Sequence, residues 1–85
     1  MYNGPMEKLD ARNLQCPFPV LRANRVLATL PAGSLLEVLA TGPCIEEHFQ
    51  VYCERNGHRI REYSETSGVH RLLIERGEGP PKRPR

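Results

Sequence analysis

Long apolar runs are missing from this 85-residue chain. A membrane-spanning helix needs ~20 consecutive apolar residues, and the unbroken apolar stretches here cover only a few, so no bilayer crossing is expected. The opening Met1-Tyr2-Asn3-Gly4-Pro5 has neither a basic leader nor an apolar segment behind it, which predicts no secretory signal and a cytoplasmic location. A large excess of one charge sign is also missing. The formal net charge is +2, and residues 77–85 hold Lys82, Arg83 and Arg85 against Glu78 alone, so that tail accounts for all of it. Of 12 basic and 10 acidic residues, taking away the tail's three and one leaves nine of each sign in residues 1–76. Such a balance is not the electropositive footprint with which a dedicated nucleic-acid binder displaces counterions, and no direct nucleic-acid ligand is expected. Three cysteines fall short of the even set of four or more that a disulfide scaffold uses, so at least one thiol is free. No CxxC or HxxxH spacing occurs, which leaves a metal site built from Cys16, Cys44 and one of His48, His58 or His70 without support. No metal and no cofactor is expected. Length alone excludes a full dinucleotide-binding fold or an eight-stranded barrel.

What is present suits one small domain over residues 6–76, with Gly/Pro- and charge-rich ends at 1–5 and 77–85 read as loose termini. Met6 to Ala11 reads as a short strand with Leu9 and Ala11 on one face. From Pro17 to Leu30, Val20, Ala23, Leu27 and Leu30 recur at i, i+3, i+7 and i+10, an amphipathic helix stopped by Pro31-Ala32-Gly33. Ser34 to Ala40 is apolar at nearly every position, as an inner strand should be. A second helix begins near Pro43, buries Ile45, Phe49, Tyr52 and Cys53, and stops at Asn56-Gly57. His58 to Thr66 and Val69 to Arg76 read as a hairpin turning at Ser67-Gly68. The order β-α-β-α-β-β contains two right-handed crossovers, which put both helices on one face of a four-stranded mixed sheet. The expected fold is a two-layer α/β sandwich. Its uncovered face is expected to carry Arg59, Arg61 and Arg71, with Leu35 or Leu39 as a contact patch.

The chemistry centres on Cys16-Pro17-Phe18-Pro19. Proline is tolerated where helical N–H groups lack internal partners, and Pro17 and Pro19 fit the first and third helical positions, with Cys16 at the cap. The free N–H groups of Phe18 and Val20 and the positive end of the helix dipole then face its sulfur and favour a thiolate. An ordinary cysteine, with a pKa near ~8.5, is only roughly 3% thiolate at pH 7; a helix end would raise that share to roughly a quarter. Arg12, in the same loop, adds positive charge, and Asp10 is expected to organise the loop. The same surroundings suit a sulfur-bound anion such as a persulfide. Spacing alone is equally compatible with a cysteine that merely caps the helix, and it names no base to make a protease-like dyad.

The run Leu9-Asp10-Ala11-Arg12-Asn13-Leu14-Gln15-Cys16-Pro17-Phe18-Pro19 resembles the signature of the TusA (SirA-like) family of small sulfur-carrier proteins. The resemblance continues through the first helix, Ala32-Gly33, the apolar second strand, Pro43, Cys53 and Asn56-Gly57-His58, over about residues 7–76. It implies the same sandwich and a sulfurtransferase activity in which Cys16 accepts sulfane sulfur as a persulfide. The implied partners are a donor protein, a cysteine desulfurase or rhodanese, and a downstream sulfur-acceptor protein. In family members the route ends in tRNA thiolation, molybdenum-cofactor synthesis or sulfur oxidation. This chain departs from the family where Asn13 replaces Gly, Asn24 replaces Lys and Gly42-Pro43 replaces Asp-Pro. Asn13 tolerates a left-handed backbone, Gly42 remains an acceptable cap, and losing Lys at position 24 weakens docking of an acidic partner, although Arg22 and Arg25 keep that helix basic.

Cys44, at the start of the second helix, is a possible second thiol. It is expected either as structural filler or as a group that attacks or accepts the Cys16 persulfide. Cys53 is assigned to the core, and His58 is expected to support the fold beside Gly57. A monomer is expected. The alternatives that stay open are a non-catalytic docking or regulatory module using the open sheet face, and a Cys16/Cys44 redox switch.

Overall fold

The computed structural model describes residues 6–15 and 17–77; Cys16 and residues 1–5 and 78–85 lie outside the described residues. Six elements follow in the expected order: β1 (Met6–Ala11), α1 (Phe18–Ala28), β2 (Leu35–Thr41), α2 (Ile45–Asn56), β3 (Arg59–Thr66) and β4 (Val69–Glu75). They form one four-stranded sheet in the order β1-β2-β4-β3. β1 pairs parallel with β2, whereas β4 runs antiparallel to both β2 and β3. The sheet is therefore mixed, and both crossovers place a helix on the same side.

Alternation along the strands decides what each face carries. Ala11, Leu36, Val38, Ala40, Leu72 and Ile74 are fully buried beneath the helices, and they meet Ala23 and Leu27 of α1 and Ile45, Phe49 and Cys53 of α2. Leu35, Glu37, Leu39, Arg71, Leu73 and Glu75 alternate with them in register and lie on the uncovered face. Both candidate leucines reach that face. Their neighbours are charges already paired: Arg71 with Glu37 and Glu62, and Arg61 with Glu75 at 2.6 Å. A register shift between Ile60 and Glu62 marks a bulge at Arg61, which turns its side chain to the same side as Glu75.

The turns follow local chemistry. Ser67 (φ 53°) and Gly68 (φ 81°) both take left-handed backbone, the pair a tight two-residue hairpin needs. Gly57 (φ 77°) ends α2, and its N–H together with that of His58 returns to the Cys53 carbonyl. Residue 77 differs from expectation, because Gly77 is held rather than loose. Its N–H donates to His58 Nδ1 at 2.9 Å, and a Cβ there would lie 1.8 Å from the Gly57 carbonyl oxygen. His58 thus supports the fold beside Gly57. Arg76 fastens the same corner by donating from Nε to the Leu27 carbonyl at the end of α1.

The helix starts differ from the sequence reading. α1 begins at Phe18 with Pro17 as N-cap, so Pro17 and Pro19 occupy the cap and the second helical position instead of the first and third. The cause is a turn: the Phe18 N–H donates to the Gln15 carbonyl at 2.7 Å, and the first helical bond runs from Leu21 N–H to the Pro17 carbonyl. The cap role expected of Cys16 therefore falls to Pro17. α2 begins at Ile45, two residues past Pro43 and so near it as expected, but its N-cap is Cys44 in left-handed backbone (φ 63°), not Gly42. α1 also closes at Ala28, two residues short of Leu30, where the Thr29 hydroxyl and N–H both bond to the Val26 carbonyl.

Candidate functional site

Because β1 and β2 are parallel, the loops leaving them emerge at one end of the sheet, and Cys44 follows the second as Cys16 follows the first. The β1–α1 loop lies at the surface: Arg12, Asn13, Gln15 and Pro17 are exposed on either side of Cys16, which is itself outside the described residues. Asn13 adopts the left-handed backbone (φ 69°) expected of it. Its N–H donates to the Thr41 hydroxyl at 2.8 Å, and the Leu14 N–H reaches the Ala11 carbonyl at 3.4 Å.

Asp10 and Arg12 form a bidentate pair. Nε and Nη2 of Arg12 donate to the two carboxylate oxygens, both at 2.8 Å, and the Arg12 N–H donates to Oδ1 at 3.1 Å. These bonds hold the Asp10 carboxyl down to about 2 and push the Arg12 guanidinium up. Asp10 thus holds Arg12 at the start of the loop. It also neutralises much of the charge that sequence reasoning assigned to Arg12 alone.

Pro19 has a second part that spacing did not disclose. It is buried and packs into the core, which fixes how the first turn of α1 sits on the sheet. No acidic residue occurs in that first turn, whereas α2 opens with Glu46 and Glu47. Negative charge is thereby less opposed at the start of α1 than at the start of α2. Phe18 and Leu21, about half exposed (52% and 49%), and Arg22 and Arg25 cover the outer surface of α1. Asn24, though exposed, ties α1 to α2: its Oδ1 accepts from the Tyr52 hydroxyl at 2.9 Å. Burial pushes Tyr52 up to about 12, so it remains a donor.

Cys44 is exposed and makes no side-chain cap bond. A shallow cleft of about 440 Å³, lined by Asn13, Leu14, Gln15, Thr41, Pro43 and Ile45, separates its loop from the loop of Cys16. Cys53 is buried on the α2 stripe, and burial pushes its thiol up to about 12. His70 Nδ1 lies 2.8 Å from the Tyr63 hydroxyl. Among the described residues no group of three or more His, Cys, Asp or Glu is arranged to hold a metal ion. Nor is any described helix long and apolar enough to cross a membrane.

Residues 7–76 match the family described as sulfurtransferase TusA. The sulfur carrier protein TusA of Allochromatium vinosum is 34% identical over 82% of this chain and 92% of its own length. That of Pseudomonas putida strain GB-1 is 36% identical over 85% and 90%. The crystal structure of the SirA-like protein from Desulfitobacterium hafniense superposes with a TM-score of 0.76 at 36% identity, covering 86% of this chain and all of that one. With that fold and a match across nearly the whole domain, the chain belongs to the TusA family of sulfur carriers.

Proposed function

We propose that this protein carries sulfane sulfur on Cys16 between a donor and an acceptor protein in the cytoplasm. The observation that carries the reading is the intact Asp10-Ala11-Arg12 … Cys16-Pro17-Phe18-Pro19 run within a family match over residues 7–76. The Cys16 thiolate attacks the terminal sulfur of the donor's persulfide, a sulfur–sulfur bond forms at Cys16, and the donor cysteine leaves as a thiolate. No net oxidation occurs, and no cofactor is consumed. Transfer onward repeats the exchange with Cys16 as leaving group. A carrier of this kind needs a reachable edge rather than a deep pocket, which agrees with the exposed residues on both sides of Cys16. The donor is a cysteine desulfurase or rhodanese, and the onward route is tRNA thiolation, molybdenum-cofactor synthesis or sulfur oxidation.

Incubation with a desulfurase and cysteine, followed by peptide mass mapping, tests the proposal. The expected result is a gain of one sulfur atom on Cys16, abolished in a folded Cys16→Ser variant. A variant that still gains sulfur, or a wild-type protein that gains none, overturns it.

A second reading concerns Cys44, whose exposed thiol stands beyond the cleft from residues 13–15. Attack of Cys44 on the inner sulfur of a loaded Cys16 would release sulfide and leave a disulfide. Faster loss of the added sulfur from wild type than from Cys44→Ser is the expected sign, and equal decay rejects it.

A further inference from the structure

Thr41 ends β2, and its hydroxyl accepts the Asn13 N–H at 2.8 Å, 28 positions away in sequence. Among the described residues the other bonds of this loop stay close in sequence: Arg12 donates to Asp10 of β1, and the Phe18 N–H to the Gln15 carbonyl, whereas the Thr41 bond reaches across to a distant strand. The bond also acts at a special place. Asn13 holds a left-handed backbone that a residue with a side chain seldom adopts, and it sits three positions before Cys16. Accepting that N–H fixes the left-handed turn at Asn13 and so aims the rest of the loop. Thr41 further opens the β2–α2 loop, whose Gly42 (φ 112°) and Cys44 (φ 63°) are themselves left-handed. One hydroxyl therefore joins the two loops that flank the cleft.

We propose that Thr41 is a positioning residue for sulfur transfer, holding the Cys16 loop at the angle that a protein donor requires. The inference rests on Cys16 as the sulfur-bearing residue. Its reach is specific: two proteins bring their reacting sulfurs together only when both loops are correctly aimed, whereas a small alkylating reagent approaches from many directions. The hydroxyl should therefore govern protein-to-protein transfer and leave small-reagent reactivity alone.

Thr41→Val keeps the strand-favouring branched shape and removes the acceptor; Thr41→Ala removes it without the branch; Thr41→Ser restores it. Transfer from a desulfurase is measured as the initial rate of sulfur gain on Cys16, beside the iodoacetamide rate at Cys16 and the melting temperature. The expected result is transfer slowed about three- to tenfold in Val and Ala, the range that corresponds to one lost hydrogen bond, with Ser near wild type. Alkylation stays within error, and the melting temperature falls by no more than about 8 °C, as one lost hydrogen bond predicts, with the variants still folded. Transfer at the wild-type rate in both Val and Ala overturns the proposal. So does a Ser variant no better than Val, or alkylation slowed as much as transfer, which would mark a merely structural part. Failure of the wild-type protein to load Cys16 refutes the carrier reading instead and is scored separately, before any Thr41 variant is compared.

Discussion

Asp10 and Arg12 divide the electrostatics of the loop between them. With its carboxyl held down to about 2, Asp10 stays ionised across the working pH range, and its negative charge offsets the guanidinium beside it. Replacing Asp10 by Asn removes that offset and frees the cation, so alkylation of Cys16 at pH 7 is expected to quicken. Arg12→Ala leaves the carboxylate alone and is expected to slow it. Rates measured against pH check both directions, and equal rates in the two variants would show that the pair acts on loop shape rather than charge. A different cost sits at Ser34, whose hydroxyl is buried without a hydrogen-bond partner among the described residues. Removing it in Ser34→Ala should raise stability by about 1 kcal/mol, read from the urea midpoint, because an unsatisfied buried hydroxyl opposes folding.

Just past the end of β4, Arg76 and Gly77 tie the chain to the ends of both helices. Gly77 lies against the Gly57 carbonyl with no space for a side chain, so Gly77→Ala forces backbone apart and should cost about 1–3 kcal/mol. Denaturant unfolding measures it. The same corner responds to pH. Burial, aided by the charge of Arg76, pulls His58 below its ordinary value of 6.5, and its Nδ1 accepts the Gly77 N–H only when unprotonated. Below pH 6.5 the unfolded chain therefore binds more protons than the folded one. Stability is full above that value and falls as the pH drops through the folded-state pKa. A melting temperature that declines as the pH is lowered below about 6.5 in wild type, and less in His58→Gln, is the expected outcome.

At the scale of the whole molecule, two helices on one face make a thin body with extents of 41 × 34 × 17 Å, and one layer of side chains supplies the core. Phe49 is the largest fully buried residue in it. Phe49→Ala should cost about 3–5 kcal/mol, a large fraction of what so small a domain has. Architecture also sorts the thiols. Cys53 is sealed in the core and pushed up to about 12, while Cys44 stands in solvent. Iodoacetamide at pH 8 is expected to modify Cys44 in the native protein and Cys53 only after denaturant is added.

Element order, the apolar stripes of both helices and the left-handed stops were legible in the sequence, since each depends on spacing within about ten residues: Ile45, Phe49 and Cys53 on one helical face, Ser67-Gly68 at a hairpin, Gly57 after Asn56. The Cys-Pro-x-Pro run likewise marked a helix start, but a turn from Gln15 to Phe18 moved the cap to Pro17. Contacts between distant segments left no local trace. Thr41 on Asn13, Tyr52 on Asn24, Arg76 on Leu27 and Gly77 against Gly57 exist only because the sheet brings those chain ends together. Periodicity records which face a residue turns inward, and tertiary packing decides which partner waits there.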